Sequence, residues 1–333
     1  DITSITAFRK QHTQFLDDLG ASTVPFTSAL VDNHKHYFYQ ELRAVSHMSG
    51  PLQFIIGASY LSTFFQGYTD VNIIKPLFVS PVARSQDRVK NWSIYAQASY
   101  DLTDKLTLTA SGRYIHEKNT ATFYDLASNP NANANYTNLV GNPSSATESK
   151  FLPAATLSYK LDGGGNVYLR YARGFKAGGV NPVANASAFI VNGQYLADQG
   201  SVFKGETVDT FEAGLKVPLA NNQIQFTADV FYNNYKNLQT AAHATAAKAA
   251  TVILAIINAG TARTYGIEGT VNWRVTPEFT LAANAGYLNA KYKSFKNAGS
   301  VILDPFDQSG GQMTNSPEFQ FSAAANLDKP ITN

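Results

Sequence analysis

The sequence predicts an all-β chain, an antiparallel transmembrane β-barrel with about twelve strands, and three observations carry that prediction. Apolar residues recur with a period of two in segments of roughly ten residues. The connections between those segments alternate strictly between short and long. Aromatic residues gather at both ends of the segments.

The period is plainest in residues 206–238, ETVDTFEAGLKVPLANNQIQFTADVFYNNYKNL. Phe211, Ala213, Leu215 and Val217 fall on one face, with Glu212, Gly214 and Lys216 on the other. Beyond PLANN the alternation resumes, with Ile224, Phe226, Ala228, Val230 and Tyr232 set against Gln225, Thr227 and Asp229. Such a pattern on both sides of a tight turn describes a hairpin with one apolar and one polar face. Each strand is long enough to cross a bilayer when tilted.

Composition agrees with this class. A mean hydropathy of −0.18 resembles that of a soluble protein, but a transmembrane barrel has the same value because only alternate residues meet lipid. Low charge (15%) with 18 Tyr, 21 Phe and 23 Gly separates the two. The net charge of +2, with Lys and Arg scattered, gives no nucleic-acid surface. With no Cys, disulfides, thiolate metal sites and Cys nucleophiles are excluded. No apolar run reaches the 18 or more residues of a membrane helix; the nearest is AATVILAIINA at 249–259. No signal peptide precedes the alternating segment at Asp1, and the expectation is an interior piece of a longer polypeptide.

In order, strands are expected at 2–9, 37–45, 52–64, 92–100, 106–116, 151–159 and 167–175, then in the hairpin of 206–238, then at 253–275, 280–292 and 319–327. HMSGP, DLTDK, KLDGGGN, PLANN and VTPEF form the short turns, rich in residues that reverse a strand cheaply. Long polar connections are expected at 10–34, 65–88, 120–149, 177–204, 239–252 and 294–316, the Ala-rich 241–250 among them forming either a helical turn or a flexible crown. Short periplasmic turns on one rim and long external loops on the other are the habit of outer-membrane barrels. Tyr100, Tyr159 and Trp273 lie beside short turns, while Tyr60, Tyr114, Tyr232 and Tyr287 lie toward the long loops, as two interfacial belts require.

The segments also resemble a particular family. YLRYARGFKAGGVN (168–181), ETVDTFEAGLK (206–216), FYNNYKNLQ (231–239), NAGTARTYGIEGTVNWRVTPEFTLAANAGYLNAKY (258–292) and SGGQMTNSPEFQFSAAANL (309–327) are similar, in order, to barrel segments of TonB-dependent outer-membrane receptors. ITSITAFR, QELR and YAQASYDLTDKLTLTASGRYIHEK fit the same order upstream, so the resemblance covers nearly the whole chain. It implies a 22-stranded barrel in the bacterial outer membrane, with an N-terminal plug. Residues 1–333 would be a partial barrel domain, its middle and later part, with no plug domain and no closing strands. It further implies energised uptake of a scarce bulky nutrient: most commonly a ferric siderophore, otherwise cobalamin or an oligosaccharide. The implied partners are the energy-coupling protein TonB, surrounding lipid and lipopolysaccharide, and a small-molecule or metal-chelate substrate.

Strand parity assigns faces to the charged residues. Arg113, Glu117, Arg170, Glu212, Lys216, Asp229, Glu268 and Arg274 oppose the apolar face and are expected to line the lumen, since a charge on the lipid face costs roughly 2–4 kcal/mol near the midplane. Their ordinary role is to hydrate the lumen and form salt bridges to a plug. For ligand contact the candidates are Arg170, Lys176, Tyr195 and Phe203, a cationic and aromatic mix suited to an anionic or ring-bearing ligand. His34 and His36 share a strand face, but His12, His47, His116 and His243 are isolated in sequence, no carboxylate or third ligand stands at a supporting spacing, and the expectation is solvated loop-end histidines and no metal. Nucleophile elbows, P-loops and zinc-protease motifs are missing, so no enzyme and no cofactor is expected. Two rivals share parts of the pattern: a passive porin-like diffusion channel, and a soluble all-β binding module.

Overall fold

The computed structural model describes residues 1–18, 27–73, 82–125, 144–181, 189–191, 194–195, 202–246, 252–296 and 307–329. Its strands are β1 (Ile2–Asp18), β2 (Thr27–Val45), β3 (Leu52–Ile73), β4 (Val82–Asp101), β5 (Leu106–Asp125), β6 (Ser144–Lys160), β7 (Asn166–Lys176), β8 (Gly179–Val180), β9 (Phe189–Val191), β10 (Gln194–Tyr195), β11 (Val202–Phe203), β12 (Glu206–Leu219), β13 (Ile224–Lys236), β14 (Gln239–Ala246), β15 (Val252–Asn258), β16 (Thr261–Arg274), β17 (Phe279–Ser294) and β18 (Phe319–Leu327). Twelve of them form one antiparallel sheet in the order β1-β2-β3-β4-β5-β6-β7-β12-β13-β16-β17-β18, so each long strand pairs with its neighbours along the chain. The other six build two small sheets from the long connections, β10-β9-β14-β15 and β11-β8.

The short turns explain the pairing. In the β12–β13 turn Ala220, Asn221 and Asn222 all take positive φ, which asparagine tolerates better than most residues. In the β6–β7 turn Gly164 and Gly165 do the same, and a Cβ on Gly165 would lie 2.1 Å from the Lys216 carbonyl, so only glycine fits.

The wall is turned inside out relative to a soluble protein. Ser93 is buried and hydrogen-bonds Ser59 at 2.9 Å, while its neighbour Ile94 is 55% exposed. Leu42, Ile56, Leu169, Phe211, Val230 and Ile267 are exposed on the same face as Ile94. Near the long-loop end an aromatic line crosses that face. Its ring pairs include Phe38–Tyr60 (6.4 Å between centroids), Trp92–Tyr114 (5.6 Å), Tyr171–Phe211 (5.2 Å) and Tyr287–Phe319 (5.1 Å). Tyr232 and Tyr265 continue the line from Phe211 by direct register. Near the short turns Tyr100, Tyr159 and Trp273 are exposed on this face too. Just beyond the upper line the face becomes polar: Arg173 binds Asp209 through Nε (2.7 Å) and Nη2 (3.1 Å), and Tyr171 Oη donates to the same carboxylate at 2.8 Å.

Three expectations need correction. The early strands are longer than their apolar pattern: β1 runs to Asp18, β2 begins at Thr27, β3 reaches Ile73, β4 begins at Val82, β5 reaches Asp125 and β6 begins at Ser144, so much of the expected connections is strand. Beyond the aromatic line polar residues are common on both faces, with Phe15, Leu16, Phe64 and Phe65 scattered among them, and the period-two signal fades although the ladder continues. The segment 253–275 is two strands in two sheets, broken at Ala259 and Gly260; Gly260 has φ 89° and its missing Cβ leaves room for the Ser294 carbonyl. The Ala-rich stretch is neither helix nor crown where it is described: β14 pairs with β15 from Gln239 to Thr245. Beside that break sits a small apolar core of Leu238, Ala259, Ala262, Tyr292 and Phe295.

Candidate functional site: the polar face and the loop bases

Register places all eight charged candidates on the face opposite the exposed apolar one. Arg170 lies directly across from Glu212, Asp229 from Glu268, and Arg113 from Tyr95. The strongest local arrangement depends on a glycine. Gly214 has no side chain, so the Tyr168 ring lies across β12 and its Oη donates to Glu212 Oε1 at 2.5 Å; a Cβ on Gly214 would stand 2.6 Å from the Tyr168 Oη. Lys216 Nζ lies 5.8 Å from the centroid of the same ring, a cation–π distance.

The same device recurs across β2–β4. Tyr95 lies over Gly57 and donates to Glu41 Oε1 at 2.5 Å, Tyr39 donates to Glu41 Oε2 at 2.5 Å, and the Arg113 guanidinium stands 5.9 Å from the Tyr95 ring. Sequence reading missed Tyr168, Tyr95 and Glu41. The glycines facing them were visible, but nothing local says which tyrosine crosses which glycine. Glu117 accepts from Asn91 Nδ2 at 2.7 Å. Farther out on this face, beyond Trp92, burial pushes the Asp87 carboxyl up; a side-chain bond with Asn119 works against that and nearby Glu117 adds to it.

At the loop bases a hydrogen-bonded knot ties the connections together. Glu148 Oε1 accepts from the Gly205 N–H (2.9 Å) and Oε2 from the Gly178 N–H (3.1 Å). Asn258 Nδ2 donates to the carbonyls of Lys204 and Asn237, each at 2.8 Å, and Gln239 Nε2 donates to that of Ala177 at 2.8 Å. Lys176 sits here, exposed. Phe203 is partly buried, its ring covering Gly179 across the β8–β11 pair. Tyr195 pairs with Ile190 through its backbone, and its side chain lies outside the described residues. Among the described residues no bond joins Lys176 to Phe203. The structure thus gathers Arg170, Glu212 and Lys216 around Tyr168 but leaves the rim candidates separate.

His47 lies in the short turn after β2, but three of the other histidines are not at loop ends. His12, His34 and His36 lie within β1 and β2, and Asp32 shares their face. His12 Nε2 is 2.8 Å and His34 Nε2 3.2 Å from Asp32 Oδ1. Asp32, two residues before His34, is the carboxylate that the loop reading leaves out. The signal was present as D-x-H-x-H, readable only once that segment is known to be strand.

A single meander of antiparallel strands, exposed and apolar on one face and aromatic at both rims of that face, is the wall of a membrane β-barrel. The family model for the TonB dependent receptor-like β-barrel matches residues 3–331, and the chain belongs to that family, whose barrels lie in the bacterial outer membrane. The chain is 22% identical to the pesticin receptor of Yersinia enterocolitica over 199 residues, 60% of this chain and 26% of that protein. Its fold is similar to that of the ferric yersiniabactin uptake receptor FyuA from Yersinia pestis (TM-score 0.73, 18% identity, covering 98% of this chain and 44% of that one). It is also similar to that of the siderophore receptor PiuA from Acinetobacter baumannii (TM-score 0.66, 16% identity, 98% and 50%). The chain therefore spans half or less of the length of these proteins.

Proposed function

We propose that this chain is the middle and later wall of a 22-stranded, plugged barrel that takes up a scarce, bulky nutrient, a ferric siderophore, with energy supplied through TonB. The observation that carries the reading is the family match over 3–331, almost the entire chain. The names of two structurally similar receptors, for ferric yersiniabactin uptake and for a siderophore, support this substrate class. In this reading the polar face lines the lumen, and Arg113, Glu117, Arg170, Glu212, Lys216, Asp229, Glu268 and Arg274 hydrate it and bridge to the plug. Arg170 and Lys176, with Tyr195 and Phe203 nearer the rim, supply cationic and aromatic contacts to an anionic chelate. The role is transport, with no catalysis. The apolar face meets lipid, and its charged upper border meets lipopolysaccharide.

Uptake of labelled ferric siderophores, measured in cells with and without functional TonB, tests the proposal. Uptake that disappears without TonB is the expected result. Uptake that continues unchanged, together with steady conductance in a planar bilayer, would instead identify a passive channel.

A further inference from the structure

We propose that the outer wall of the β1–β2 hairpin holds a binding site for one divalent transition-metal ion of the zinc, copper or nickel class, ligated by His12, Asp32 and His34. The site stands apart from the proposed uptake path, because these residues lie on the same face as the lipid-facing Phe38, opposite to the charged face.

The geometry is set by backbone pairing. His12 and His34 are direct partners in the β1–β2 ladder, and their rings stack with centroids 4.2 Å apart and planes 8° from parallel. Asp32, two residues before His34, points to the same side. The three donor atoms lie within 4.8 Å of one another, with His12 Nε2 2.8 Å and His34 Nε2 3.2 Å from Asp32 Oδ1. A tetrahedral ion with ligands at about 2.0–2.1 Å keeps its donors roughly 3.3 Å apart. The two separations to Asp32 fall just below that value, and an ion enters once the imidazoles rotate out of their stack so that both Nε2 lone pairs point at it. Strands position such a set more rigidly than loops do.

Chemistry selects the ion. Two imidazoles and one carboxylate suit borderline cations, while magnesium and calcium prefer oxygen donors. The side chains of His12 and His34 are 52% and 40% exposed, leaving water access to the remaining coordination positions. Ascending β2 on this face, Phe38 of the aromatic line is followed by His36, His34 and Asp32, which sets the donors on the water side of the apolar band. Lys10, across from His36, is the nearby like charge that tempers affinity.

The test uses the purified protein in detergent micelles, without a histidine tag, titrated with Zn2+ by calorimetry and with Co2+ by visible absorption. Wild type is expected to bind one ion more than the H12Q/H34Q double variant, with Co2+ showing a d–d band that the variant lacks. Asp32→Asn is expected to weaken binding at least about tenfold. His116→Gln, which removes an imidazole that contacts Ser149, is expected to bind as wild type. Intensity-matched thermal unfolding of every variant confirms folding. Equal stoichiometry in wild type and H12Q/H34Q, or a Co2+ spectrum unchanged by the double substitution, would overturn the proposal.

Discussion

β3 and β13 cross the same aromatic line, yet one is 22 residues long and the other 13. From the short-turn end to the line they are equal: Tyr60 stands eight positions after Leu52, and Tyr232 eight positions after Ile224. At about 3.3 Å per residue and a tilt near 40°, that span rises roughly 20 Å, close to the ~25 Å apolar band of an outer-membrane barrel. The bilayer thus fixes one part of every strand, and the difference lies wholly beyond it. In the first half of the wall the ladders continue outward and carry the His12–Asp32–His34 cluster. In the second half the chain leaves the wall soon after the line, turns through the β14–β15 hairpin, and is held by Glu148, Gln239 and Asn258.

The comparison can be broken most severely within the shared band. Leu215→Arg places a charge on the lipid face and is expected to cost roughly 2–4 kcal/mol, whereas Thr227→Arg on the opposite face should change stability by about 0.5 kcal/mol or less. Guanidinium unfolding from lipid vesicles measures both, and equal losses would refute the face assignment. Next in size is the knot that distinguishes the second half. Glu148→Ala removes the acceptor of two backbone N–H groups and should loosen the loop base by about 1–3 kcal/mol. Hydrogen exchange should then accelerate at Gly178 and Gly205 while the β2–β3 ladder stays protected. A matching acceleration in β2–β3 would show that the two halves are not independent.

A smaller effect sharpens the border itself. Asp209→Asn breaks the ion pair just beyond the aromatic line, where water screens it, and is expected to cost up to about 1 kcal/mol, diminishing as salt is added. A cost several times larger and insensitive to salt would put the pair inside the hydrocarbon and move the border outward.

The sequence alone determined what repeats locally: the period of two, the two faces, the glycine- and asparagine-bearing short turns, and the aromatic residues that mark both rims. These are readable because lipid on one side and polar surroundings on the other write opposite demands on adjacent residues. Where polar residues are common on both faces, as in residues 10–18 of β1 or 27–36 of β2, that contrast fades and strand reads as loop. Cross-strand partners belong to the tertiary structure. It chose His12 against His34, laid Tyr168 over Gly214 to reach Glu212, and divided β15 from β16 at Gly260. Each of these joins positions in different strands or sheets, and register, which no single strand encodes, is what brings them together.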